Sequence, residues 1–331
     1  MKIQLPHTYE DIICLENLLS AWQEFIIGKR KKRDVQEFSL HLMDHILSLH
    51  EDLSNDTYKH GRYHSFHIND PKRRHIHKAS VRDRFLHHAV HRLLYPFFEK
   101  TFISDSYSCR KNKGTHNAVD RFRSLGYKVS NNHTRMCWVL KCDVKKFFAS
   151  VNHGILLNIL QTYIPDKEIL SLLKHIITSF HTPNRSNTGL PLGNLTSQLF
   201  INIYMNEFDQ FVKHKLKVKH YVRYADDFVI LSQSKDYLEQ LIPQVRNFLQ
   251  TNLNLTLHPN KVSIKTIASG VDFLGWVQFS DHRVLRRTTR RRMFARIQKE
   301  YREEVLQSYL GLLGHGNTYG LQEKVLTYCQ N

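Results

Sequence analysis

The sequence predicts an α+β protein on three observations. Apolar periodicity switches between 3.6 and two along the chain, short β-branched runs sit between amphipathic stretches, and 41% of the 331 residues are hydrophobic. A chain of this length suits a large domain plus a smaller one, with enough apolar side chains to bury a core. No internal repeat, low-complexity tract or Gly/Ser linker interrupts it.

The first fifty residues read as two amphipathic helices. Leu15, Leu18, Leu19 and Trp22 form one stripe, and Leu40, Met43, Ile46, Leu47 and Leu49 the other. The basic run from Gly28 to Arg33 between them reads as an exposed turn. Tyr63, Phe66 and Ile68 suggest short strands before the basic stretch Lys72, Arg73, Arg74. Asp83 to Phe98 is expected to be helical, with Phe85, Leu86, Val90, Leu93 and Leu94 at helical spacing. Trp138, Val139 and Leu140 read as a buried strand ending at Asp143. Residues 155–164 and 197–216 are expected helices. Tyr221 to Leu231 is a hairpin interrupted by Ala225-Asp226-Asp227. A helix over 238–249, a strand-like stretch over 273–279, a basic helix and a helical tail complete the chain.

Lys and Arg outnumber Asp and Glu by 48 to 30, a formal charge of +18. A surplus that large calls for a polyanionic partner, and nucleic acid fits best. No segment resembles a signal peptide or a transmembrane span, which disfavours a membrane partner. Five scattered cysteines argue against a disulfide framework and for a reducing cytoplasm. Most of the 22 histidines are expected to be solvated or in the core. His87 and His91 could share a helix face, without the Glu of a metalloprotease motif.

Apolar and aromatic residues flank Asp226-Asp227, so two acids sit at the tip of buried strands. Taken alone, such a pair also suits an ordinary polar turn. At a buried tip the carboxylates would repel each other unless a divalent cation neutralised them. Asp143 also ends an apolar strand, and strands converging in one sheet would bring all three acids together. That set would hold two hard cations through oxygen, with Mg²⁺ favoured over zinc. Two such ions suit nucleotidyl transfer, activating a primer 3′-hydroxyl and steadying the departing pyrophosphate. Between the acid segments lies Gly189-Leu190-Pro191-Leu192-Gly193-Asn194-Leu195-Thr196-Ser197-Gln198, by itself a loop and helix cap.

Asp143 with Phe147 and Phe148, then Gly193-Asn194-Leu195-Thr196-Ser197-Gln198, then Tyr224-Ala225-Asp226-Asp227 follow an order that resembles reverse transcriptases of prokaryotic retroelements. Arg74 to Phe85 and Ser106 to His116 are similar to that family's fingers motifs, Leu255 to Lys261 to a further palm motif, and Phe273-Leu274-Gly275-Trp276 to the primer grip. The resemblance implies a right-hand polymerase with an antiparallel palm sheet and a small helical thumb. Its expected parts are an N-terminal helical extension (1–55), fingers (56–135), palm (136–280) and thumb (281–331).

The same resemblance implies residue roles. Asp143 and Asp226 would be the principal ligands of two Mg²⁺ ions, Asp227 a weaker third, and Val144 would lend its carbonyl. Phe148 would lie beneath the sugar and exclude a 2′-hydroxyl. Lys72 and Arg74 would contact the triphosphate, assisted by Arg110, and Lys261 would donate a proton to pyrophosphate. Each of these cations also suits an ordinary basic surface. The cluster Arg283, Arg286, Arg287, Arg290, Arg291 and Arg292 has no interleaved acid. Arg286, Arg287, Arg290 and Arg291 are its expected nucleic-acid contacts.

Leu192 and Gln198 stand where many reverse transcriptases carry Gln and Pro, so the motif is most similar to that of diversity-generating retroelements. An apolar Leu192 before Gly193 cannot hydrogen-bond near the nucleotide. A loss of about 1–2 kcal/mol in discrimination corresponds to roughly tenfold more error. The resemblance implies a template RNA copied into cDNA with errors at adenines, deoxynucleoside triphosphate substrates, and a small basic oligomeric accessory protein. It also implies a cytoplasmic, bacterial or phage-encoded enzyme with no maturase or endonuclease region after the thumb. The alternatives are a group II intron-like or phage-defence reverse transcriptase, or a non-catalytic RNA-binding protein.

Overall fold

The computed structural model describes residues 3–69, 73–299 and 302–330, the last three as backbone. Four helices open the chain: α1 (Tyr9–Ile13), α2 (Leu15–Phe25), α3 (Arg33–Leu40) and α4 (Leu42–Ser54). A hairpin of β1 (His64–Ile68) and β2 (Arg74–Lys78) leads to α5 (Val81–Glu99) and α6 (Thr115–Val129). Strand β3 (Trp138–Asp143) precedes α7 (Phe147–Ser150), α8 (His153–Gln161), α9 (Lys167–Thr178) and α10 (Leu195–Gln210), which continues as a π-helical turn over Phe211–Lys215. Then come β4 (Tyr221–Tyr224), β5 (Asp227–Ser232), α11 (Lys235–Leu253) and β6 (Ser263–Thr266). The chain closes with β7 (Val271–Phe273), β8 (Trp276–Gln278), β9 (Arg283–Leu285), α12 (Arg287–Lys299), α13 (Glu303–Leu313) and α14 (Tyr319–Gln330). The expected α+β class is what forms, and the strands pair antiparallel throughout the described sheets.

Two compact units divide the chain. The first takes Met1–Ile103, Lys145–Phe211 and Phe248–Leu255. Its central helix, α10, buries residues on every side, among them Leu199, Phe200, Ile203, Tyr204 and Phe208. It also buries the polar Thr196, Ser197, Asn202, Asn206 and Asp209, and α10 packs against α5 and α8. Ser80 caps α5 by accepting from the Asp83 amide at 3.1 Å. Buried Asp83 in turn accepts from Tyr58 Oη at 2.8 Å, Ser80 Oγ at 2.6 Å and the Gly61 amide at 3.1 Å. Asp166 caps α9 by accepting from the amides of Glu168 and Ile169.

The second unit takes Ser104–Val144, Val212–Asn247 and Thr256–Asn331. It holds a four-stranded sheet in the order β4-β5-β3-β6 and a three-stranded sheet β7-β8-β9. Helix α6 packs on β4 and β5 through Ala118, Phe122, Leu125 and Val129. Met293, Ile297, Leu306, Leu313 and Val325 of the last three helices join the same apolar core.

The N-terminal expectation of two helices needs correction. Extended backbone at Cys14 (ψ 144°) breaks α1 from α2, and His41 (φ −121°, ψ 41°) separates α3 from α4. The buried faces are Leu18, Ala21, Trp22 and Phe25, then Ile46, Leu49 and Leu53. Leu15, Leu19, Leu40, Met43 and Leu47 are exposed instead. Helices α6 and α9 were not expected, although Ala118, Phe122, Leu125 and Val129 do recur at helical spacing.

Candidate active site

The three acids converge through the backbone of the second unit. In the β3–β5 ladder Asp143 lies directly opposite Asp227. In the β4–β5 hairpin Tyr224 pairs with Asp227, leaving Ala225-Asp226 as a two-residue turn. Such tight turns need positive φ, and Ala225 has φ +54°. The Val144 amide donates to the Asp226 carbonyl at 3.1 Å, so the end of β3 is sewn to the turn itself. The His258 amide donates to the Asp143 carbonyl at 2.7 Å, and Val144 bridges Leu257.

A residue outside the expected set braces the turn. Arg223 is fully buried, its Nη1 donating to the Ala225 carbonyl at 3.1 Å and its Nη2 to Ser106 Oγ at 3.0 Å. Its backbone also binds the 105–107 segment: its amide donates to the Asp105 carbonyl, and the Tyr107 amide donates to its carbonyl. The signal available in the sequence was an arginine inside an otherwise apolar strand, since buried charge is retained only with partners.

Cations face the acids. Lys261 Nζ donates to both Asp143 oxygens at 2.9 Å. Lys141 Nζ lies 3.7 Å from Asp227 Oδ2 and donates to the Asp272 carbonyl at 2.5 Å. Asp227 Oδ1 is buried with no hydrogen-bond partner. Burial first, then repulsion from Asp143, Asp226 and Asp272, pushes the Asp227 carboxyl up to about 7, against the pull of Lys141. Among the described residues, no three His, Cys, Asp or Glu side chains form a ready-made ligand cluster. The convergence lies in the backbone, while the Asp143 and Asp227 side chains turn to lysines. Hard oxygen donors, an orphaned buried oxygen and mutual repulsion nevertheless fit divalent cations, which would relieve the repulsion among the three carboxylates.

The other expected residues of this unit take varied surroundings. Val144 is buried beside the turn. Arg110 is half-buried, its Nη1 donating to the Ser106 carbonyl at 2.8 Å. Phe273 and Trp276 are core residues, 1% and 2% exposed, with Phe273 edge-on to Phe122. Leu274 (φ +52°) and Gly275 (φ +92°) form the tip of the β7–β8 hairpin. The arginine cluster separates into two kinds. Arg283 is buried against Asp120, and Arg286 pairs with Asp272. Arg287, Arg290, Arg291 and Arg292 are exposed on α12.

The first unit holds the rest. Phe148 is half-buried, its ring 5.9 Å from that of Phe147, and its carbonyl accepts from the Leu190 amide at 2.8 Å. The Leu192 carbonyl accepts from the His77 amide at 3.0 Å, tying the loop to β2. At Gly193 the backbone sits at φ +113°, a conformation that favours glycine, and a Cβ there would press Ile76 Cγ2 at 3.0 Å. Asn194 holds the N-cap position of α10 without a side-chain cap bond, its Nδ2 donating to the His77 carbonyl and its buried Oδ1 without a partner. Arg74 opens β2, exposed and opposite Ile68. Lys72 lies outside the described residues.

Residues 59–277 match the family described as reverse transcriptase (RNA-dependent DNA polymerase). The chain belongs to that family. It is 27% identical to the protein YkfC of Escherichia coli (strain K12), over 64% of this chain and 63% of that protein. It is 22% identical to the group II intron-encoded protein LtrA of Lactococcus lactis subsp. cremoris, over 63% of this chain and 45% of LtrA. The chain thus spans under two thirds of these relatives' own lengths. Its fold is similar to that of apo telomerase from Candida tropicalis truncated from its C-terminal domain, with a TM-score of 0.51 and 12% identity, over 68% of this chain and 55% of that one. No helix of the described residues is long and apolar enough to cross a membrane.

Proposed function

We propose that this protein is an RNA-directed DNA polymerase that copies a template RNA into cDNA by nucleotidyl transfer at Asp143, Asp226 and Asp227. The observation that carries the reading is the strand pairing of Asp143 with Asp227, next to a two-residue turn bearing Asp226. Three acids so placed suit two Mg²⁺ ions, held by their carboxylates and the Val144 carbonyl. Such ions lower the pKa of a primer hydroxyl and offset charge on departing pyrophosphate. Lys261, already at 2.9 Å from Asp143, would release the carboxylate to the cation and offer its proton to pyrophosphate. Arg74 and Lys72, with Arg110, would bind the triphosphate, and Phe148 would disfavour a 2′-hydroxyl. Exposed Arg287, Arg290 and Arg291 would contact phosphates, while Arg286 would act through its pairing with Asp272. Residues 56–135, 136–280 and 281–331 would serve as fingers, palm and thumb, after an N-terminal helical extension.

Primer extension on a defined RNA with Mg²⁺ tests this. Asp226→Ala is expected to lower synthesis by about 10³-fold or more. Synthesis equal to the native chain's would overturn the assignment.

Within the family, Leu192 and Gln198 support error-prone copying at template adenines in a diversity-generating retroelement, with a small basic accessory protein as partner. The likeness to LtrA favours a second reading, a group II intron-like enzyme. Sequencing the cDNA separates them: errors concentrated at adenines support the first, and faithful copying the second.

A further inference from the structure

Residues 213–220 read Lys-His-Lys-Leu-Lys-Val-Lys-His, six basic or imidazole side chains in eight positions without an acid. The segment leaves α10 as the π-helical turn and returns to β4. Within the second unit, Val212 and Val218 are buried and linked by a hydrogen bond from the Val218 amide to the Val212 carbonyl at 3.1 Å. Two buried valines thus pin the loop and leave Lys215, Lys217 and Lys219 exposed. Lys217 holds φ +55°, a conformation a lysine adopts only when its surroundings impose it.

This loop walls a cavity of about 410 Å³, completed by Lys128 and Val129 of α6, the β5 end at Leu231 and Ser232, and Gln233 and Tyr237. Among the described residues, no ion pair ties Lys128, Lys217 or Lys219 to a carboxylate. Burial, then the charges of Lys128, Lys213, Lys219 and Arg121, hold His220 below the usual histidine range, as expected where positive charge converges. Gln233 is anchored, its Nε2 donating to the Val129 carbonyl at 2.7 Å, and Tyr237 is 37% exposed at the rim.

The groove is not part of the acid site. Leu231 is four residues along β5 from Asp227, roughly 13 Å at 3.3 Å per residue. A nucleic acid held here is engaged away from the reacting primer end. Unpaired lysines around a cavity suit phosphates, and an exposed tyrosine beside an amide suits unstacked bases of a loop.

We propose that the groove between Lys128 and the 213–220 loop binds the phosphate backbone of a looped segment of template RNA, a holding site separate from the catalytic turn. The choice of RNA over DNA rests on the polymerase reading above; the groove itself does not.

The test uses the full chain, a fluorescent RNA hairpin and anisotropy at several salt concentrations. K217E/K219E is compared with K167E/K174E, exposed lysines of α9 that change the net charge equally. Beyond the control, the groove variant is expected to lose about tenfold or more in RNA affinity at 0.15 M salt. Its log–log salt slope should fall by roughly 1.5 to 2. Extension of a saturating, pre-annealed short primer–template should stay at the native rate. K217A/K219A should fall between, which separates charge repulsion from lost contacts.

A loss no larger than the control's overturns the proposal. So does equal binding and equal loss with a DNA hairpin, or tighter groove-dependent binding of a poly-glutamate peptide, which would assign the groove to an acidic protein. If the native chain extends no primer, the polymerase reading fails while the anisotropy still tests the groove.

Discussion

Two hairpins of the molecule are built on opposite principles. The β4–β5 hairpin buries Tyr221, Val222 and Arg223 on one strand and Phe228 to Leu231 on the other, and β5 is paired on both edges. The β1–β2 hairpin stands as a two-stranded sheet with β1 exposed along its length, carrying His64, His67, His75, His77, Lys78 and Arg74. The cations proposed for these acids would need carboxylates whose spacing is set by a core, and the first hairpin sits in one. A two-stranded hairpin has little stability of its own. The second is tied to its unit by the His77–Leu192 hydrogen bond and by Ile76 against Gly193. Of its long cations, Lys78 pairs with Asp34 at 2.6 Å, while Arg74 stays exposed, free to adjust to the phosphates proposed for it.

Substitutions should therefore act unequally. The largest stability effect is expected at Arg223→Met, which leaves Ser106 Oγ and the Ala225 carbonyl without their buried donor. A loss of about 2–4 kcal/mol should appear as a lower urea midpoint at unchanged slope. A midpoint matching the native one would show that the turn holds without its brace.

Next comes an acid effect in the first unit. Burial holds His87 neutral, with its pKa pushed down to about 3 from 6.5. The unfolded chain binds this proton first, so the stability His87 contributes is present above pH 6.5 and lost as pH falls toward 3. The slope is roughly 1.4 kcal/mol per pH unit, or about 2 kcal/mol between pH 6.5 and 5. His87→Leu should flatten that slope in denaturation curves at pH 7, 6 and 5; an unchanged slope would place the acid sensitivity elsewhere.

Gly193→Ala should cost about 1–2 kcal/mol, because φ +113° and the nearby Ile76 methyl both oppose a Cβ. Thermal melting reads it. The smallest stability change is expected at Arg74→Ala, within about 0.5 kcal/mol. Its proposed role predicts a KM for deoxynucleotides raised about tenfold instead. A drop in stability without a change in KM would make Arg74 structural and erase the contrast between the hairpins.

Much of the acid site was legible before any coordinates. Apolar flanks around Asp143 and around Asp226-Asp227 mark strands ending in acids, and the structure pairs those strands. The N-terminal helices were less legible, because Leu15, Leu19, Leu40, Met43 and Leu47 carry helical spacing yet stay exposed. Hydrophobic periodicity shows which face could be buried, not which face finds a neighbour. The arginine cluster read as one surface, but Asp120 and Asp272 take two members out of it. Asp120 lies 163 residues from Arg283 and Asp272 lies 14 from Arg286, both beyond the reach of a local pattern.

The sequence by itself determined the α+β class, the strand–turn–strand around Asp226-Asp227, and the order of motifs that marks a reverse transcriptase. The first two follow from local periodicity along one chain, and the third from the chain's resemblance to that family. Tertiary structure alone decided that Asp143 faces Asp227, that Arg223 braces the turn, and that Lys128 meets the 213–220 loop. Such contacts join residues from two positions apart (Arg223 and Ala225) to 117 apart (Arg223 and Ser106), and the strand register is set by which apolar faces bury together.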